Sequence, residues 1–257
     1  MQNVENMESM QNMESMQDME NVTFSVCDKE QPRVLIATPA YNGQITTKYT
    51  ECLMMTCNLL GMNRIDCQVK FINNQIVTRA RNMLAHIFMT GNFTHMLFID
   101  ADIGWNPDDV MNLLSHDEEC VVGVYPNKAY HLDSNKTNIS LTSSSKALFP
   151  IETKGEHLQR IEHAATGFML LKKAALKRIE KDIEQFYLPN NGQNTTSREE
   201  MSLLYNYFNC QVVDNDYLTE DYYFSHLFNK NGGKIYADTR INLLHIGNHH
   251  YGSLGRS

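Results

Sequence analysis

From residue 32 onward the apolar positions change spacing in a regular way. "RVLIATPAYNG" opens as a short β run and ends at Pro39 and a Tyr-Asn-Gly turn. In "TTKYTECLMMTCNLLG" the apolar residues fall at helical spacing, with a stop predicted at Gly61. "CQVKFI" predicts a second strand and "NQIVTRARNMLAHIFMTG" a second helix closed by Gly91. "HMLFID" reads as a third strand. "NPDDVMNLLSH" follows as a helix, with Asn106 at the N-cap and Pro107 at the first helical position. "CVVGVYP" makes a fourth strand. Strands and helices alternating at short intervals predict an α/β domain, a mixed, mostly parallel central sheet flanked by helices.

Beyond Pro126 the pattern loosens. Residues 127–150 are rich in Asn, Ser and Thr and predict a long loop or a hairpin. "HAATGFMLL" returns to a strand, and "KKAALKRIEKDIEQF" is a helix by pattern and propensity. Residues 188–200 predict a mobile loop. Residues 217–247 predict a helix stopped by Asn-Gly-Gly, a strand, and a second strand closing on His245. The first 22 residues repeat a unit close to M-Q-N-M-E-S, and a period of six suits neither a heptad seam nor a strand face. With Met and two Val as its only apolar residues, this stretch is expected to be disordered. The expected division is a leader over 1–31 and one domain over 32–257.

Composition narrows the function class. The chain has 257 residues, 42% of them hydrophobic, and a formal charge of −8. Glu5, Glu8, Glu14, Asp18 and Glu20 lie in the leader, so the remainder is only mildly acidic, and no clustered Lys or Arg offers a general nucleic-acid or anionic-membrane surface. The six cysteines form no C-x-x-C pair and are expected as free thiols of a reducing compartment. No run of about 18 apolar residues and no export signal stands out. A soluble, cytoplasmic protein is the expectation.

The candidate chemistry centres on "FIDADIGW". A hydrophobic strand ends in Asp100 and Asp102, at the kind of sheet edge where α/β proteins bind ligands. In an extended chain, residues two apart share a face, so both carboxylates address one small volume. Two neighbouring anions repel unless a cation or hydroxyl donors hold them, and a hard divalent ion with oxygen ligands is the natural partner. A pair of solvated turn or cap aspartates is the alternative.

The ordered set "TPAYNG", "RARN", "FIDADIGW", "GVYPNK", "TGFMLLKKAAL", "TEDYYF", "GGKIYAD" and "LLHIG" resembles the GT-A glycosyltransferases, the nucleotide-diphospho-sugar transferases. Over about residues 32–250 the chain looks most like the compact members of large DNA viruses and phages, which would put it in host cytoplasm or virion. The resemblance implies a single Rossmann-like GT-A domain. It also implies a nucleoside diphosphate sugar donor, with UDP commonest in the superfamily, and Mn or Mg as the cofactor. The sugar moved would be a hexosyl, pentosyl or deoxyhexosyl group and the acceptor a carbohydrate or a glycoprotein glycan; oligomeric state stays open.

The same resemblance assigns residues. Thr38, Pro39 and Tyr41 match the nucleoside loop, where a Tyr face stacks on a base, although an ordinary strand-to-helix turn would look alike. Arg79, Arg81 and Asn82 match a segment that reaches base or diphosphate oxygens. The two arginines are two apart on a helix and cannot both face one site, and Arg79 is slightly favoured. Asp102 is implied as the direct metal ligand, Asp100 as its support, and His245 as a third protein ligand, against its reading as a core or surface histidine. Gly123, Tyr125 and Lys128 would line the donor-sugar side, with Thr166 and Gly167 where backbone approaches the sugar.

Asp221 in "LTEDYYF" is implied as the general base of an inverting transfer, with Glu220 as neighbour or substitute. An acidic first turn after a Thr219 cap is the structural alternative. Other readings are a retaining transferase, or a sugar-nucleotide-binding protein without turnover. A sugar nucleotidyltransferase would want a Gly- and Lys-rich loop where "TPAYNGQITTK" stands, and a D-x-D phosphatase would want Thr or Val where Gly104 stands.

Overall fold

The structure, a computed structural model, describes residues 31–126, 152–189, 197–247 and 250–252. Pro32–Ser257 cluster as one compact unit. In chain order the elements are β1 (Arg33–Ala40), α1 (Thr47–Met62), β2 (Asp66–Asn73), α2 (Val77–Thr90), β3 (His95–Ile99), β4 (Ile103–Gly104), α3 (Pro107–Ser115) and β5 (Cys120–Gly123). Then come β6 (Glu152–Lys154), β7 (Leu158–Ile161), β8 (Phe168–Lys172), α4 (Lys173–Ile179), β9 (Gln185–Pro189) and β10 (Met201–Tyr205). The last are β11 (Gln211–Val213), β12 (Asp216–Leu218), α5 (Glu220–Lys230), β13 (Ile235–Asp238), β14 (Leu244–Ile246) and β15 (His250–Gly252).

Eight strands form the main sheet in the order β2-β1-β3-β8-β5-β13-β7-β6. β2, β1 and β3 run parallel, as do β5 and β13, while β8 lies antiparallel between β3 and β5. With β7 also reversed, six of the eight strands share one direction. The mixed, mostly parallel sheet expected from the sequence is therefore present, with helices on both faces. β1 shows why its apolar run is unbroken: Val34 and Ile36 pack with Tyr49, Leu60, Trp105 and Val110, while Leu35 and Ala37 pack with Leu84, Phe88 and Phe224. A strand covered on both sides needs apolar residues at successive positions. Each fully buried Leu, Ile or Phe contributes about 1.5–3 kcal/mol.

Local chemistry explains most boundaries. Thr46 caps α1, its hydroxyl accepting from the Tyr49 amide at 3.1 Å. Asn106 caps α3, with Pro107 in its first turn and the Asp109 carboxylate accepting from the Asn106 amide at 3.0 Å. α5 ends at Lys230, with Asn231 as its C-cap and Gly232 following at φ 77.

Four expectations need correction. α1 runs through Gly61 to Met62 and turns at Arg64 (φ 58), because a single helical Gly costs only about 1 kcal/mol and Leu60 anchors that last turn in the core. The helix expected over 172–186 is α-helical only to Ile179, passes through a 3-10 turn at Glu180–Asp182, and gives way to β9. Pairing of β9 with β10 outweighs the helical propensity of "EKDIEQF" there. The strand expected from "HAATGFMLL" starts only at Phe168. The hairpins β9–β10 and β11–β12 had no counterpart in the sequence reading. The loop or hairpin expected over 127–150 lies outside the described residues, as do residues 1–30 of the leader and 190–196 of the loop expected over 188–200.

Candidate active site

The carboxyl ends of β1 and β3, the start of α1 and the first turn of α2 surround a cavity of about 420 Å³, a size suited to a small ligand. Pro39, Tyr41, Arg81, Asp100 and Asp102 line it, together with Gln44, Thr46 and Gln75, which sequence reasoning missed. The pair of threonines before the α1 pattern was a capping signal that could have located Thr46.

β3 ends at Ile99, and residues 100–102 form a turn rather than an extended run. Four backbone hydrogen bonds hold that turn. The Asp100 amide donates to Gly167 O (3.0 Å) and the Ile103 amide to Asp100 O (3.0 Å). The Thr46 amide donates to Ala101 O (3.1 Å) and the Ile246 amide to Asp102 O (2.8 Å). Both carboxylates still line one cavity, but each has its own partner. Asp100 takes both of its oxygens to Arg81 Nη2, at 3.1 and 3.4 Å. Asp102 Oδ2 faces His245 Nε2 at 3.7 Å.

His245 reaches this position because β14 pairs with β4 and sets His245 opposite Ile103. Its Nδ1 donates to Pro126 O at 2.8 Å, and its ring meets Tyr125 edge-on at 5.1 Å. With Nδ1 bonded to a carbonyl, a neutral imidazole here would present its Nε2 lone pair toward Asp102, as a metal-binding histidine does. Among the described residues no group of three or more His, Cys, Asp or Glu converges. The donor set is thus one imidazole and one carboxylate, with Asp100 next to it but engaged by Arg81.

Arg81 organises the other side. Only 4% exposed, it stacks over Phe98 at 5.5 Å and gives Nε to Glu220 Oε1 at 3.3 Å. Its Nη1 is buried without a hydrogen-bond partner. Burial alone would lower the pKa of this guanidinium, but the charges of Asp100, Glu220 and Asp221 hold it up. Arg79, the slightly favoured arginine, is exposed on α2 and does not line the cavity. Two residues along a helix is about 200° of rotation, and the core took Arg81.

Asp221 opens α5 beside this cluster. Its Oδ1 accepts from Thr219 Oγ1 at 2.5 Å and from the Tyr222 amide at 2.9 Å. Thr219 therefore occupies the N-cap position without capping through its own side chain. Burial pushes the Asp221 carboxyl upward, the Glu220 charge adds to this, and Thr219 and Arg81 oppose it. A carboxylate held above its ordinary range suits a proton acceptor.

Several expected ligand residues are used by the fold instead. Thr38 is fully buried and hydrogen-bonds Tyr49 Oη at 2.5 Å. Asn82 is 1% exposed; it donates to Asn206 Oδ1 (2.7 Å) and Phe208 O (3.1 Å) and accepts from the Phe208 amide (2.9 Å), tying α2 to the 206–208 segment. A side chain at Gly123 would meet Ile241 at 2.7 Å and Phe168 at 2.8 Å, so this glycine serves packing. At Gly167 an added Cβ would lie 2.3 Å from Tyr125 Oη, whose oxygen accepts from the Gly167 amide at 3.1 Å. Thr166 beside it is 1% exposed. Burial and the Asp100 charge push the Tyr125 phenol well up, so it stays neutral. Tyr41, by contrast, is 72% exposed at the cavity mouth. Lys128 lies outside the described residues.

No protein-family model and no curated protein matches the chain. Among solved structures, A197 from STIV is similar at 14% identity over 87% of this chain and 95% of that one, with a TM-score of 0.45. S. aureus TarS 1–349 is similar at 14% identity over 80% of this chain and 58% of that one, TM-score 0.40. A glycosyltransferase involved in the glycosylation of the major capsid of PBCV-1 is similar at 13% identity over 57% and 63%, TM-score 0.31. At these TM-scores the likeness is one of broad outline, and the chemistry rests on the residues at the strand ends.

Proposed function

We propose that the protein is a metal-dependent glycosyltransferase that moves a sugar from a nucleoside diphosphate sugar, with UDP as the nucleotide, to a carbohydrate acceptor with inversion. The observation that carries the proposal is the facing pair Asp102 and His245, 3.7 Å apart with the histidine ring held by Pro126 O, where Asp102 lines a cavity together with Tyr41, Asp100 and Arg81. A divalent cation fits this donor set. One carboxylate and one imidazole leave most of the shell to phosphate oxygens and water, and imidazole suits Mn better than Mg. Bound there, it would neutralise charge on the leaving diphosphate.

The chain's own residues do the rest. Tyr41 offers an exposed aromatic face to a base at the cavity mouth. Arg81 holds Asp100 and Glu220 in place while its unpartnered Nη1 adds positive charge beside the diphosphate. Asp221 accepts the proton of the acceptor hydroxyl as that oxygen bonds to the anomeric carbon. The bond from that carbon to the phosphate oxygen breaks on the opposite face, and the nucleoside diphosphate leaves with the electron pair.

The test is nucleoside diphosphate release from a panel of nucleotide sugars, with and without Mn, for wild type, Asp102→Ala and Asp221→Ala. Mn-dependent release by wild type, reduced at least about 100-fold in Asp102→Ala, is expected. Binding without release for any donor would sink the enzyme reading. Full transfer by Asp221→Ala would remove only the base assignment.

A further inference from the structure

The hairpin β11–β12 leads directly into Glu220 and Asp221. Its turn residues Asp214 and Asn215 have φ of 52° and 70°, the paired left-handed geometry of a tight two-residue hairpin turn, which fixes the strand register. That register places Val212 opposite Tyr217, and the two are 59% and 68% exposed. An aromatic and a β-branched residue across a strand pair would normally face a core. These two face solvent.

Tyr217 stands three residues before Glu220, on the strand that runs into α5. Glu220 in turn reaches Arg81, which lines the cavity. An exposed aromatic face thus precedes, by three and four residues, the acidic pair that opens α5. We infer that the exposed face of Tyr217, with Val212 beside it, is the platform on which the acceptor's pyranose ring lies.

The fit is chemical. A pyranose carries a face of C–H groups that packs on the negative face of an aromatic ring, while its rim of hydroxyls needs acceptors. Tyr217 and Val212 supply the apolar contact, and the Glu220 and Asp221 carboxylates, three and four residues beyond Tyr217, supply acceptors. A ring held there has its hydroxyls directed toward the residue proposed to take the proton. The inference rests on the glycosyltransferase reading of the same site and adds where the acceptor binds.

Saturation-transfer NMR on the full chain, with the methyl glycosides of glucose, galactose, mannose and xylose as probes, tests it without requiring turnover. For at least one probe, transfer is expected at the ring C–H protons in wild type, about fivefold weaker in Tyr217→Ala and retained in Tyr217→Phe and Tyr217→Trp. Equal transfer in wild type and Tyr217→Ala, or none to any probe in wild type, would overturn the platform. Nucleoside diphosphate release measured in parallel separates the two claims. Tyr217-dependent binding without release leaves the platform standing and removes the transferase reading; release with Tyr217-independent binding does the reverse.

Discussion

At the scale of single residues, the site divides its charges between two partners. Asp102 faces His245 and Asp100 faces Arg81, so removing either aspartate should have a different signature. Asp102→Asn should raise the Mn concentration needed for half-maximal activity by at least about tenfold, measured by Mn titration, because one of the two proposed protein ligands is weakened. Asp221 should set the acid limb of the pH profile. An aspartate titrates near about 3.9 in the unfolded chain, and burial moves Asp221 upward in the fold. The folded state then binds this proton more tightly. The stability it contributes is full below the unfolded value and falls as pH rises through the folded one. With Asp221 as the proposed base, activity runs the other way, rising as it deprotonates, so kcat/KM should inflect above the ordinary aspartate value. Glu220→Gln removes a neighbouring negative charge and should move that inflection to lower pH. An unmoved limb in that variant would assign the titration to another group.

At the scale of elements, buried polar groups decide how strands and helices meet. Asp238 ends β13 with its carboxylate fully buried. Burial would raise its pKa, but hydrogen bonds from Arg240 (Nη2 to Oδ2, 2.6 Å) and His116 (Nε2 to Oδ2, 2.8 Å) outweigh that and bring it down to about 2. A depressed carboxylate contributes stability that is present above its unfolded pKa and lost as pH falls through the folded one. About 2 kcal/mol should therefore disappear between about pH 4 and pH 2, and wild type should lose more over that window than Asp238→Asn in urea melts. Asn82→Ala should cost about 2–3 kcal/mol, since it unties α2 from Phe208 and leaves the buried Phe208 amide and carbonyl short of a partner. Gly123→Ala should cost about 1–3 kcal/mol through overpacking against Ile241 and Phe168.

At the scale of the whole molecule, ligand and fold should be linked. UDP together with Mn should raise the melting temperature more than either alone, because each supplies ligands the other lacks; at about 100 times Kd the gain is about 2.7 kcal/mol. Chelation should abolish activity yet leave the melting temperature almost unchanged, since the sheet and both core layers form from protein contacts alone. No helix among the described residues is long and apolar enough to cross a membrane.

Much of this was legible in the chain. The alternation of β1, α1, β2, α2 and β3 followed from periodicity, because a sheet covered on both faces demands unbroken apolar strands and amphipathic helices between them. The cap at Asn106 and the strand end at Asp100 are local, and local chemistry specified them. What stayed hidden depends on distant pairing. Periodicity could not say that β8 inserts antiparallel between β3 and β5, nor that "EKDIEQF" yields to a hairpin. It could not say that the core would take Arg81 over Arg79, since either would satisfy the helix. Thr38 and Asn82 read as ligand residues until their partners, Tyr49 and Phe208, were known to lie within hydrogen-bond reach. Asp102 and His245 are 143 positions apart in the chain, and only the pairing of β14 with β4 sets them 3.7 Å from each other. The sequence by itself determined which residues could carry charge to the sheet edge; the tertiary structure decided which of them meet, because register and burial are properties of strands and helices packed together.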